Sequence, residues 1–195
     1  MQKAVLITIA LLTSHRLQGQ GTVNFSNVGL NSPVGITCTT GFMPAPAGTT
    51  FSVALYFAPS PPGISTPPDP STFTQVGAAA FLVAPGIYDA GIRTAQITPP
   101  GGLAWFQVKA WATAYGSTYE QALAYGANLI GVSGMIEILT GNPTPPATTP
   151  ARLTGIGPIG LNLDPVPCVP EPSAILLVFL GAVTLWFLPR NNRNA

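Results

Sequence analysis

Apolar and polar positions alternate most cleanly in two stretches of the chain. Phe51, Val53, Leu55 and Phe57 fall on every second residue, which places them on one face of an extended strand. In Leu103–Ala112 the pattern is two-sided: Ala104, Phe106, Val108 and Ala110 share one side, and Leu103, Trp105, Gln107, Lys109 and Trp111 the other. Weaker alternation predicts strands at Gly21–Asn27, carried by Val23 and Phe25, at Ala79–Val83, at Ile92–Ile97 and at Val132–Leu139, with Ile156–Leu163 as a last edge strand. Pro59–Pro70, with six prolines, predicts an irregular loop, and Pro85-Gly86 and Thr98–Gly102 predict tight connections. One helix is expected. Ser117-Thr-Tyr-Glu120 fits a capping box in which the serine oxygen accepts from the Glu120 amide while the Glu120 side chain reaches back. About two turns should follow to Tyr125, with Gly126 as the left-handed stop.

Six to eight short strands and a single helix predict a mainly β domain over residues 21–140, an antiparallel β-sandwich, Ig-like in a broad sense. Residues 141–168 read as a Pro/Gly-rich connector. Composition agrees: 21 Gly and 22 Pro serve many turns, while 47% hydrophobic residues can still build a core. Only 7% of residues are charged, the net charge is +1, and no Lys/Arg cluster lies in the middle. That excludes the electrostatic footprint of a nucleic-acid binder.

The two ends have a different character. Lys3, the mostly apolar Ala4–Leu12 and the small Gly19 and Gly21 form the three regions of a secretory signal peptide over residues 1–20. Near the other end, Ala174–Leu188 is apolar but for Thr184, between Ser173 and Pro189. As a helix it would be about 22 Å long, without a polar face, and Trp186 suits a lipid–water boundary. Arg190 and Arg193 follow and would hold that end on the cytoplasmic side. A transmembrane helix over 173–189 is expected.

Val169-Pro170-Glu171-Pro172-Ser173, the apolar run and the arginine tail together closely resemble a PEP-CTERM sorting signal. The resemblance covers residues 169–195, and its three-part order makes it specific. The arginine tail, diluted by Asn191, Asn192 and Asn194, is sparser than the family pattern. The resemblance implies an exported bacterial protein processed by an exosortase, a membrane-embedded protease or transpeptidase, after signal peptidase has acted. It also implies transient anchoring in membrane lipid and delivery to the cell surface or extracellular matrix. Pro165, Pro167, Pro170 and Pro172 bias the backbone to an extended form that a processing enzyme can grip, and Glu171 would stay at the membrane surface.

Cys38 and Cys168 are the only cysteines. In an oxidising envelope such a pair is expected to bridge. Catalytic chemistry has little to stand on. The single histidine, His15, lies in the signal segment, and Asp69, Asp89, Glu120, Glu137 and Asp164 are scattered. No metal, cofactor or nucleophile motif can be written from these residues, so no enzyme and no cofactor are expected. Binding is the sharper alternative. Trp105 and Trp111, about 20 Å apart along one strand face with Gln107 and Lys109 between them, could stack on sugar rings and hold an exopolysaccharide. The competing expectation is that this face packs under a second layer.

Overall fold

The computed structural model describes residues 20–38, 41–63 and 66–162. The expected signal segment up to residue 19, Cys168, the Val169–Ser173 motif, the apolar run, Arg190 and Arg193 lie outside the described residues. Among the described residues no helix is long and apolar enough to cross a membrane.

The two strongest alternating stretches form the centre of the fold. β4 (Gly48–Pro59) and β8 (Leu103–Ala112) pair antiparallel from Phe51 opposite Ala112 to Pro59 opposite Ala104. This register places Phe51, Val53, Leu55 and Phe57 beside Ala112, Ala110, Val108 and Phe106, and all eight are buried. The sheet continues from β4 through β6 (Ala80–Ala84), β7 (Ile87–Ala95) and β1 (Gly21–Ser26) to β11 (Ala151–Arg152). A two-residue β5 (Thr74–Gln75) also lies against β4. Val23 and Phe25 of β1 share one core cluster with Phe106 and Val108 of β8, although three strands separate β1 from β8 in the sheet. The sheet is therefore curled around its core.

A second, three-stranded sheet contributes to that core. It runs β12 (Ile159–Asn162), β2 (Val34–Cys38), β3 (Gly41–Pro44). Val34, Ile159 and Leu161 join the main cluster, as do Leu153 and Ile156 from the approach to β12. The domain thus extends past Thr140 to Asn162, and the expected connector contains part of its core. Gly131, in β9 (Ile130–Val132), meets β12 so closely that a Cβ there would stand 2.2 Å from the Gly160 carbonyl oxygen. The missing side chain of Gly131 permits that approach of two backbones.

The protein is mainly β with one short helix, as the patterning predicts, but its sheet is mixed. β11 lies parallel to β1, and β12 parallel to β2. The wholly antiparallel sandwich is corrected on this point. The Gly141–Pro150 segment lets the chain return from β10 (Ile136–Leu139) to the opposite edge, beside β1, and short strands added after such a return are free to run parallel. The expected single strand Val132–Leu139 is two strands, β9 and β10, both on β8. At the break, the Ser133 hydroxyl accepts the Val108 N–H at 2.8 Å and replaces a missing ladder partner.

The helix, α1, spans Tyr119–Ala124 and ends before Gly126 at φ +67°. Its cap is one residue later than expected. Thr118, not Ser117, accepts from the Gln121 N–H, while the Gln121 side-chain oxygen accepts from the Ser117 N–H at 2.8 Å. Glu120 is left for another task. At the far side of the fold Asn27, fully buried, donates to the Ser32 and Gly86 carbonyls and accepts from the Tyr88 N–H. It locks the exit of β1 to the β6–β7 turn.

Candidate functional site

The outer face of β8 carries the predicted binding residues, and α1 covers it. Ala54, Tyr56 and Ala58 of β4, Trp105 and Trp111 of β8, Phe73, and Ala122 and Ala127 form a second buried cluster there. Trp111 is 0% exposed and Trp105 8%. The Trp111 indole N–H donates to the Gly116 carbonyl at 3.0 Å, and Tyr119 of α1 stands edge-on to its ring. An open stacking platform through Trp105 and Trp111 is therefore not what this face presents. Periodicity placed both rings on one side; burying them removes far more apolar area than leaving them wet.

The two polar residues between them also turn inward. Gln107 donates to the Ser133 carbonyl at 3.1 Å and satisfies the backbone where β9 and β10 part. Lys109 is the more informative. Its ammonium lies 4.0 Å from the ring centre of Tyr56 and 4.9 Å from that of Tyr119. Glu120 approaches it at 3.9 Å and accepts a hydrogen bond from the Tyr56 hydroxyl at 2.9 Å. Tyr56 sits two residues along β4 from Ala54, the partner of Lys109, so sheet register alone brings cation and ring together. Helix α1 supplies the other ring and the carboxylate.

Energetically the rings matter most in this cluster. The Glu120 side chain is 59% exposed, and such an ion pair contributes about 0–1 kcal/mol. A desolvated cation over two aromatic faces contributes about 0.5–2 kcal/mol. Burial lowers the Lys109 pKa, with Glu120 opposing it. Burial, the hydrogen bond to Glu120 and the charge of that carboxylate hold the Tyr56 hydroxyl well above its ordinary value, and burial and Glu120 raise Tyr119. Tyr56 is thus kept as a neutral donor, and the Lys109 amine is occupied by Glu120 and the two rings of its own chain. The cluster fastens α1 to the sheet. A cavity of about 540 Å³ opens beside it, lined in part by Phe73, Gln75 and Leu123.

The binding face expected from residue order did not include Tyr56 or Tyr119, and Glu120 was expected as a helix cap. The signal for Tyr56 was present in β4, whose second face, Ala54-Tyr56-Ala58, alternates with the Phe/Val/Leu face. Elsewhere, Glu137 pairs with the Ser60 hydroxyl, and Asp69 accepts from the Ser71 N–H in a 3-10 turn, which lowers its pKa. Among the described residues no group of His, Cys, Asp and Glu could hold a metal ion. Cys38 closes β2, and parallel β12 sets Asn162 opposite Thr37, so the chain leaves the described domain beside Cys38. The expected partner, Cys168, lies outside the described residues.

No protein-family model matches this chain, and no curated protein or solved structure matches it either.

Proposed function

We propose that this chain is a non-enzymatic exported protein of the cell envelope or extracellular matrix, sorted and processed by an exosortase through its last 27 residues. The observation that carries the reading is the order of Val169–Ser173, Ala174–Leu188 and Arg190/Arg193, opposite an N-terminal segment built like an export signal. Signal peptidase removes the first segment, and the second holds the protein in lipid until it is cut or transferred. The domain between them is mainly β, with two sheet systems sharing a core; an Ig-like sandwich remains the finer reading of that arrangement.

The register of β12 on β2 supports a Cys38–Cys168 bridge. Cys168 follows Asn162 by six positions, and six extended steps reach about 20 Å, ample for a return to the neighbouring strand end. The bridge would tie the motif-bearing segment to the domain, so that processing acts on a fixed handle.

The test is the intact mass of the protein recovered from envelope and medium, for the natural chain and for a Pro170→Ala/Glu171→Ala/Pro172→Ala variant. Loss of both end segments from the natural chain, and retention of the C-terminal one in the variant, is the expected result. Retention of the C-terminal segment in both, or its loss from both, removes the sorting reading.

A further inference from the structure

A cavity of about 780 Å³ forms an open cleft between α1 and the outer side of β6. Phe81 is 49% exposed and Tyr125 78% exposed; both line it, together with Tyr115, Ser52, Ser117 and Gln121. Phe81 is outward because Leu82, its neighbour, faces the core, and it lies opposite Ser52 on β4. Tyr125 caps the C-terminus of α1. An exposed tyrosine and an exposed phenylalanine thus stand in one concavity, on separate elements.

The cleft walls are fixed. The Thr113 hydroxyl donates to the Thr49 and Thr50 carbonyls at 2.8 and 3.1 Å, tying the 3-10 turn Thr113–Tyr115 to β4. Trp111 holds the Gly116 carbonyl. The Gln121 oxygen is taken by Ser117, which leaves the Gln121 amide N–H₂ as a donor toward solvent.

None of the residues lining the cleft is charged, so an anionic or cationic ligand finds no counter-charge. An all-apolar ligand would cover the hydroxyls and the amide without satisfying them. A pyranose ring satisfies both kinds of surface: its C–H face packs on aromatic rings and its hydroxyls exchange hydrogen bonds with Ser and Gln side chains. The volume falls within the range of small-molecule sites. From this chemistry we propose that the cleft binds a neutral glycan, stacked on Tyr125 and Phe81 and hydrogen-bonded by Gln121 and Ser117. The proposal goes beyond the sorting reading and does not depend on it.

Calorimetric titration of the full chain in a zwitterionic, sugar-free detergent tests it. The probes are cellohexaose, maltohexaose, chitohexaose and, as the charged comparison, oligogalacturonate. Saturable binding of at least one neutral oligosaccharide is expected, weakened about five-fold or more by Tyr125→Ala and by Phe81→Ala, with oligogalacturonate inert. Thermal midpoints of both variants should match the natural chain; Tyr125→Leu and Phe81→Leu serve if either alanine variant misfolds. Absence of binding to every neutral probe, preference for the acidic one, or neutral binding untouched by both substitutions each overturns the proposal.

Discussion

Replacing Gly131 by alanine tests how the two sheets meet. A Cβ at this position would stand 2.2 Å from the Gly160 oxygen, 2.8 Å from its carbonyl carbon and 3.2 Å from the Leu161 nitrogen. The first separation is more than 1 Å short of ordinary contact at 3.4 Å, and all three obstacles are backbone, so no side chain can rotate away. Either β12 retreats, withdrawing Ile159 and Leu161 from the core, or β9 detaches from β8. Overpacking of this kind costs about 1–3 kcal/mol, and the strand preference of alanine over glycine returns about 0.5–1. A net loss of about 1 kcal/mol is expected, set against the 5–15 kcal/mol typical of a domain. Urea unfolding followed by fluorescence of buried Trp105 and Trp111 reads it directly. Gly134→Ala is the internal control, because its Cβ would meet nothing nearer than the Ile156 oxygen at 3.5 Å; it should change stability by less than about 0.5 kcal/mol. Equal midpoints for Gly131→Ala and Gly134→Ala would show that β9 and β12 do not cross as described.

Other sites give further outcomes. Ile97 has φ +67° and is 82% exposed, so Ile97→Gly relieves about 1–2 kcal/mol of left-handed strain, less about 0.5–1 for the looser unfolded chain; the urea midpoint should rise, and a fall contradicts the left-handed turn. Asn27→Ala removes three buried hydrogen bonds and should cost about 3 kcal/mol, visible as a lower thermal midpoint; an unchanged midpoint would show that the β1 exit is held by other contacts. The Tyr56, Tyr88 and Tyr119 hydroxyls are all raised, chiefly by burial. Their contribution is therefore complete below the ordinary tyrosine value of about 10 and is lost as pH rises above it; spectrophotometric titration should show these phenols ionising only with unfolding, and early ionisation of all five tyrosines would contradict their burial. Cys38→Ser removes the proposed bridge, which closes a loop of about 130 residues and contributes about 4–5 kcal/mol in the chain-entropy model; insensitivity of the natural chain's stability to reductant would show that no bridge forms.

Much of the central architecture can be read from residue order. β4 and β8 are long, their alternation is unbroken, and Pro/Gly turns bound them, so Leu103–Ala112 coincides with its predicted range and Phe51–Phe57 lies within the longer β4. α1 is legible from its hydroxyl cap and Gly126, within one residue at the start because Ser117 and Thr118 are both capable acceptors. β2, β3, β5 and β11 left no comparable trace. β2 contains Gly35 and β3 ends at Pro44, both short, and the parallel partner of β2 lies more than a hundred residues away; such pairing depends on tertiary contacts that a local window does not contain. The outer face of β8 illustrates a different limit. Alternation identifies which side Trp105 and Trp111 share, but the cover comes from a helix that lies elsewhere in the chain, so periodicity predicts a face and not its exposure.

β12 occupies the last described positions, yet its Ile159 and Leu161 belong to the same core cluster as Val23 and Phe25 of the first strand. A chain that emerges from its N-terminus therefore holds that cluster incomplete until almost all of the domain has been made. Interrupted synthesis would present that unfinished interior to solvent, and truncation anywhere before residue 159 should yield an aggregating product rather than a shorter working one.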